Sequence, residues 1–500
     1  MTWNIPSQIS TQYCRVLIIG LMARFIKSFV LLLALTSGCR AADLPRSVLA
    51  ALQAAGIPQS SVGAVVQEVG SAQPSLAVNA SEAMNPASVM KLVTTYAALE
   101  LLGPAYRWKT EVWLDGDNVV LRGFGDPKLN YESFWMLLRS LRGRGIRDVR
   151  GDFILDRSYF GPVADGRIDD DLFRPYNVAP DALLVNFKSL RFVFLPENEK
   201  VRVYVEPSLP GLEVVNQLRI GDAAACPEGR AFRDLIRAAF QSKPPRASFT
   251  GFYPAACGER DLNVALYEPE DFVAAMIRQL WSEMGGSWSG GVRNGQLPPG
   301  SRLLYVHESE PLAEIVRDIN KLSNNVMARQ LFLTLAAELG GAPARGDAAR
   351  HAVRQWLDAK KIPAPELVID NGSGLSRIER ASAATIAALL QAAWKSAVMP
   401  ELVASLSVVA ADGTMRKRLR GERVAGRAHI KTGLLQDARS IAGFVLDRNG
   451  RRHVVVMIVN HPRAPEAQAA QDALLAWVYD GATAPARATS RQPGASPRRP

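Results

Sequence analysis

The sequence predicts an α/β protein whose main domain is interrupted by a strand-rich insertion that carries a further insertion of its own. Three observations predict it. After Lys91 the stretch Asn85 to Gly103, NPASVMKLVTTYAALELLG, is apolar nearly all round, as a helix buried in a core is. From Arg107 to Leu266 short alternating runs dominate, the period of strands. Helical periodicity returns at Glu270, and the chain closes on a strand pair and a last helix.

Taken in order, residues 1–42 read as an export signal. Met22-Ala-Arg-Phe-Ile-Lys27 is a basic start, Phe29 to Leu35 is apolar, and Cys39-Arg-Ala41 ends in small residues suited to a signal peptidase. A lipid anchor at Cys39 is the alternative. No later stretch reaches the ~18 apolar residues that span a membrane, so at most peripheral membrane association is expected. Leu44 to Gly56 reads as an amphipathic helix, and Gly63 to Val69 with Ser75 to Asn79 as a short hairpin. Pro86 suits the first turn of the buried helix, and Gly103-Pro104 ends it. Strands at Arg107 to Leu114 and Asn118 to Arg122 flank a Gly116-Asp117 turn, and a helix covers Tyr131 to Arg144. Further strands include Val149 to Leu155, Arg191 to Leu195 and Val201 to Val205. Helices follow at Glu270 to Met284, Leu312 to Leu339, Ala348 to Ala359 and Ala383 to Ser396. Strands at Ser440 to Leu446 and His453 to Asn460 meet at Asn449-Gly450, and Glu466 to Tyr479 is the last helix. The tail from Ala482 to Pro500 has no apolar period and reads as disordered.

Composition bounds the chemistry. The chain has 500 residues, 48% hydrophobic and 21% charged, enough for two or three globular domains. Its net charge of +11 favours anionic partners such as cell-wall polymer. The basic residues are scattered and carry no recognised motif, which argues against nucleic acid. Cys226 and Cys257 alone remain after the signal and read as a disulfide, two free thiols being the alternative. Two cysteines and five scattered histidines offer no metal site, and no cofactor is expected.

Three short motifs carry chemistry. Ser88-Val-Met-Lys91 places a hydroxyl and an amine one helical turn apart, on one face. Burial would lower the lysine pKa, so that a neutral amine takes the serine proton. Lys321-Leu-Ser-Asn-Asn325 breaks a long helical pattern, where a loop presents Ser323 and Asn325 inward. His429-Ile-Lys-Thr-Gly433 opens a strand, with Lys431 on one face and Gly433 free for close backbone approach. With one histidine near these motifs, a Ser-His-Asp triad is hard to assemble.

The trio Ser-x-x-Lys, Ser-x-Asn, Lys-Thr-Gly in this order resembles the penicillin-recognising serine acyl-transferases. The long separation of Ser88 from Ser323 resembles the D-alanyl-D-alanine carboxypeptidase/endopeptidase family, the class C low-molecular-mass penicillin-binding proteins. Gly123-Phe-Gly-Asp-Pro-Lys-Leu129, Asn320 to Asn325, Asp370-Asn-Gly-Ser-Gly-Leu-Ser376 and Asp412-Gly-Thr414 add to the resemblance. It implies a transpeptidase domain like that of penicillin-binding proteins and serine β-lactamases, split into 43–106 and 301–481. The inserted domain would be 107–182 with 267–300, and the nested one 183–266. The resemblance implies Ser88 as nucleophile, Lys91 as base, and Ser323 as proton relay with Lys431. Asn325 would hold a substrate amide, and Lys431 and Thr432 the terminal carboxylate, with Lys431 charged. The backbone N–H groups of Ser88 and Leu434, next to Gly433, would form the oxyanion hole. Asp126 is a candidate for the amine of a diaminopimelate side chain, its plainer reading being a turn residue before proline. The expected partners are peptidoglycan stem peptides, with β-lactams as covalent inhibitors, in the periplasm. A serine β-lactamase and an inactive scaffold on the same fold are the rival readings. Two departures stand out: Leu434 follows Lys-Thr-Gly where a hydroxyl residue is usual, and Ala328-Arg329 stands where an acidic residue often follows Ser-x-Asn.

Overall fold

The computed structural model describes residues 43–163, 167–221, 225–227 and 229–481. The expected export signal, the Cys39 anchor and the tail lie outside the described residues. The first segment of the main domain carries α1 (Arg46–Ala54), β1 (Val62–Glu68), β2 (Leu76–Val78) and α2 (Lys91–Leu101). Its second segment opens with five helices: α3 (Leu312–Leu322), α4 (Asn325–Gly340), α5 (Gly346–Ala359), α6 (Ala383–Trp394) and α7 (Met399–Ser405). Then come β3 (Ser407–Val408), β4 (Ala428–Leu434), β5 (Ala438–Leu446), β6 (Arg452–Asn460) and α8 (Gln468–Tyr479).

The six strands form one antiparallel sheet in the order β3-β4-β5-β6-β1-β2. Both of its faces are covered, which is why β6 reads as the unbroken apolar run VVVMIV. Side chains alternate across the pleat. Val455, Met457 and Val459 join the core under α1 and α8, while Val454, Val456 and Ile458 join the core with α2, α4 and α6. The helix α2 runs through that second core, with every residue from Lys91 to Leu99 buried.

The insertion between α2 and α3 holds a five-stranded sheet, ordered 292–294, 153–156, 118–123, 109–115, 302–308. The strand Arg302–Glu308 pairs antiparallel with Lys109–Asp115, so this sheet continues past the boundary expected at residue 300. A register shift between Leu303 and Tyr305 breaks the two-residue alternation, which hid the strand in the sequence. The nested part is a six-stranded sheet over residues 190–264. Its buried residues, Phe192, Phe194 and Phe249 among them, share one continuous core with Phe134, Phe153 and Trp281 of the outer insertion. Cys226 and Cys257 are joined there as a disulfide.

Candidate active site

Ser88 lies in a 3-10 turn, Ala87–Met90, that runs directly into α2. The regular α-helix starts at Lys91, so Pro86 caps the 3-10 turn rather than opening the helix. The i, i+3 neighbourhood holds: Lys91 Nζ is 3.0 Å from Ser88 Oγ. The same nitrogen donates to Asn325 Oδ1 at 2.6 Å and to the carbonyl of Ser373. In its neutral form the amine gives its two N–H bonds to those acceptors, leaving its lone pair for the Ser88 hydroxyl. Burial holds the Lys91 pKa well below the ordinary lysine value, and the Lys431 cation lowers it further. Glu379 opposes these effects and Arg329 adds to them.

The second element is the break between α3 and α4. Ser323 adopts the left-handed conformation (φ 58°) at the end of α3, and the Asn324 side chain caps α4 by accepting from Met327 N. That geometry turns Asn325 toward Lys91 of α2 and Ser323 toward Lys431. Ser323 Oγ accepts from Lys431 Nζ at 2.8 Å, and the same amine donates to the Thr432 carbonyl at 2.8 Å. Lys431 is fully buried, and burial pushes its pKa down to about 7. Burial thus works against the charged form expected of Lys431, which a substrate carboxylate would favour.

The third element is β4. A Cβ on Gly433 would lie 2.9 Å from Ser88 N and 2.8 Å from Pro86 O, so the strand meets the Ser88 turn backbone to backbone. Ser440 Oγ on β5 donates to the Pro86 carbonyl at 2.5 Å and fastens the same turn. Thr432 Oγ1 donates to Thr414 Oγ1 at 2.8 Å. Thr414 is held in turn by the segment in which Lys321 Nζ meets Asp412 Oδ2 at 2.6 Å. Leu434 ends the strand with its side chain exposed.

The structure thus brings Ser88, Lys91, Ser323, Asn325, Lys431, Thr432, Gly433 and Leu434 together. Asp126 is bonded within its own turn. Its Oδ1 accepts the Lys128 N–H at 2.8 Å in the turn before proline, and it shares no hydrogen bond or ion pair with the group. The side chain is buried in the turn before Pro127. His429 Nδ1 lies 3.2 Å from the Val403 carbonyl, away from the hydroxyls. Among the described residues no group of His, Cys, Asp and Glu could hold a metal.

Sequence reading missed two parts of the site. The Ser373 carbonyl acts through the backbone, which residue types do not reveal. Glu379 is completely buried and its Oε1 accepts N–H bonds from Asp370, Asn371 and Gly372 at 3.2, 3.1 and 3.0 Å. In the sequence it is one charge in a polar run, Ser376-Arg-Ile-Glu-Arg380, with nothing to mark it as internal. Arg329, a departure left without a role by the sequence, is also buried, one turn into α4 from Asn325.

A two-faced sheet with a Ser-x-x-Lys turn against its strand β4, interrupted in sequence by a large insertion, is the fold of a penicillin-binding-protein peptidase. Residues 44–480 match the D-Ala-D-Ala carboxypeptidase 3 (S13) family, and the chain belongs to that family of peptidases. The D-alanyl-D-alanine carboxypeptidase of an Actinomadura species is 28% identical over 480 residues, 91% of this chain and 88% of that protein. D-alanyl-D-alanine carboxypeptidase DacB of Haemophilus influenzae is 25% identical over 417 residues, 80% of this chain and 85% of that one. The crystal structure of penicillin binding protein 4 (dacB) from Haemophilus influenzae matches with a TM-score of 0.70 at 24% identity, covering 86% of this chain and 99% of that chain. The same protein complexed with a novel β-lactam matches at 0.67 and 23% identity, covering 86% and 98%.

Proposed function

We propose that this peptidase is a serine D,D-peptidase of peptidoglycan, working in the periplasm through an acyl-enzyme on Ser88. It removes terminal D-alanine from stem peptides, cleaves D-alanyl-meso-diaminopimelate cross-links, or does both, and β-lactams acylate it. The observation that carries this reading is the fully buried Lys91 amine, 3.0 Å from Ser88 Oγ. The β-lactam complex of the Haemophilus protein supports the inhibitor class.

In the proposed reaction neutral Lys91 takes the Ser88 proton as Oγ attacks the D-alanyl carbonyl. The developing oxyanion is met by the N–H groups of Ser88 and Leu434, donors on a rigid turn and strand that need little reorganisation. Collapse of the tetrahedral intermediate breaks the C–N bond, and the leaving amine receives a proton from Lys431 through Ser323, 2.8 Å apart. With its pKa near 7, Lys431 is poised to give that proton and take another. The hydroxyls of Thr432 and Thr414 bind the substrate's terminal carboxylate, with the Lys431 cation behind them. Water then hydrolyses the ester and frees Ser88. Labelling with penicillin tests the reading: mass spectrometry should find one adduct, on Ser88, and Ser88→Ala should lose it entirely. An adduct on another residue, or persistence in Ser88→Ala, refutes it. Digests of cross-linked and uncross-linked muropeptides then separate endopeptidase from carboxypeptidase action.

A further inference from the structure

Glu379 is a buried carboxylate for which the acylation scheme has no use. Its position is specific. One oxygen gathers three consecutive backbone N–H groups, from Asp370, Asn371 and Gly372. The next residue, Ser373, turns its carbonyl to Lys91 Nζ. Thr94 of α2 donates to the Gly372 carbonyl at 2.7 Å, so loop and helix are joined on both sides of that contact. Close packing leaves the loop little room: a Cβ on Gly374 would meet the Ala87 carbonyl at 2.0 Å, and one on Gly372 the Phe332 ring at 2.7 Å.

The second oxygen of Glu379 is buried with no hydrogen-bond partner among the described residues. A protonated oxygen there would leave an O–H without an acceptor, whereas three N–H bonds to the other oxygen favour the anion. Burial pulls the other way and raises the carboxyl above its ordinary value. The charges that act on Lys91 belong to three elements: Lys431 of β4, Arg329 of α4 and Glu379 of the loop, with Asp370 acting on Glu379. Two cations and a carboxylate therefore act on one buried amine.

We propose that Glu379 is a positioning residue for acylation: its ionised carboxylate fastens the loop that offers the Ser373 carbonyl to Lys91 and supplies the negative charge that balances Lys431 and Arg329 at the amine. This rests on the reading of Lys91 as the base for Ser88. Without the carboxylate, a base already depressed by burial and two cations would be weaker still. The proton it must take would then be held less firmly.

The test is the pH profile of the second-order acylation rate with a fluorescent penicillin. Glu379→Gln keeps the length and an acceptor oxygen but removes the charge. Its acidic limb should move to lower pH by about one pH unit, with a lower maximum. Arg329→Met should move the limb to higher pH. A purely structural role for Glu379 predicts a lower rate at every pH and an unmoved limb, and that result in folded Glu379→Gln overturns the proposal. If Glu379→Gln does not fold, the double variant Glu379→Gln/Arg329→Met decides. A limb back near the parental position supports the proposal, and a limb coinciding with that of Arg329→Met alone overturns it. Absence of Ser88 labelling in the parent protein would instead defeat the underlying reading of Ser88 and Lys91.

Discussion

At the residue scale, two buried lysines serve the site, Lys91 at the Ser88 hydroxyl and Lys431 at the Ser323 hydroxyl, and each must hold a different number of protons. Lys91 is useful when neutral, Lys431 when it carries a proton for the leaving amine. Second-order acylation rates report the free enzyme, so the Lys431 pKa near 7 should appear as an alkaline limb. Activity falls as pH rises through that limb because the donor form is lost. Lys431→Arg keeps its charge at every pH and should flatten the limb, at a rate lowered by its poor proton donation. A limb near pH 7 that survives in Lys431→Arg would assign it to another group. Asp126 gives a separate, structural prediction. Burial raises its pKa from 3.8 to about 7, with Glu310 adding to the rise and the Lys128 N–H opposing it. The fold prefers the protonated form. Its contribution is therefore whole below pH 4 and is lost as pH climbs through 7, a difference of at most about 4 kcal/mol. Asp126→Asn removes that loss. Its stability relative to the parent should rise between pH 5 and pH 8 in chemical denaturation, while Ser88 acylation stays unchanged.

At the scale of elements, the site exists because three of them end at one point. The 3-10 turn delivers Ser88, the left-handed break after α3 delivers Ser323, and β4 meets the first with Gly433 and the second with Lys431. Gly433→Ala would set a Cβ within 3 Å of backbone atoms of Pro86 and Ser88, which cannot swing aside as a side chain can. The strand must shift, and a displacement of about 1 Å costs on the order of a hundredfold in rate. Acylation should fall to that degree with little change in the melting temperature, and near-parental acylation would mean that the turn accommodates the methyl. Much of this convergence was legible. Ser-x-x-Lys at helical spacing, an interrupted helical run and a strand ending in glycine are written in residue types and periods. The rest was not, for two reasons. Ser373 contributes a carbonyl, which any residue carries, and Glu379 reaches the interior from a stretch whose neighbours Arg377, Ile378 and Arg380 give no sign of burial. The strand Arg302–Glu308 escaped because its register shift puts Leu303, Leu304 and Tyr305 in succession, a pattern with neither period.

At the scale of the whole molecule, the chain builds its cores so that the insertion and the catalytic sandwich hold together by different residues. The two sides of the catalytic sheet have their own apolar clusters. The outer and nested insertions share a third, against which Cys226 and Cys257 pack half-buried. Contact with the catalytic core runs through Trp108, Phe124, Tyr159, Phe160 and Ala182 of the outer insertion, and through Phe187. It also runs through a small fourth cluster in which Val326 of α4 joins Val178, Leu184 and Ala265; among the described residues no strand of the nested sheet joins either. The disulfide closes a loop across a sequence separation of 31 residues within the nested part. Opening it restores freedom to the unfolded chain worth about 3–4 kcal/mol. Because the nested sheet shares its core with the outer insertion, that loss should lower the unfolding temperature of both together. The Ser88 turn, α2 and β4 belong to the other cores, so the penicillin acylation rate should stay near the oxidised value below that transition. Thermal unfolding with and without a thiol reductant, followed by both tryptophan fluorescence and penicillin labelling, reads the two cores separately. A labelling rate that falls in step with the insertion's unfolding would show that the catalytic site depends on the insertion for its geometry.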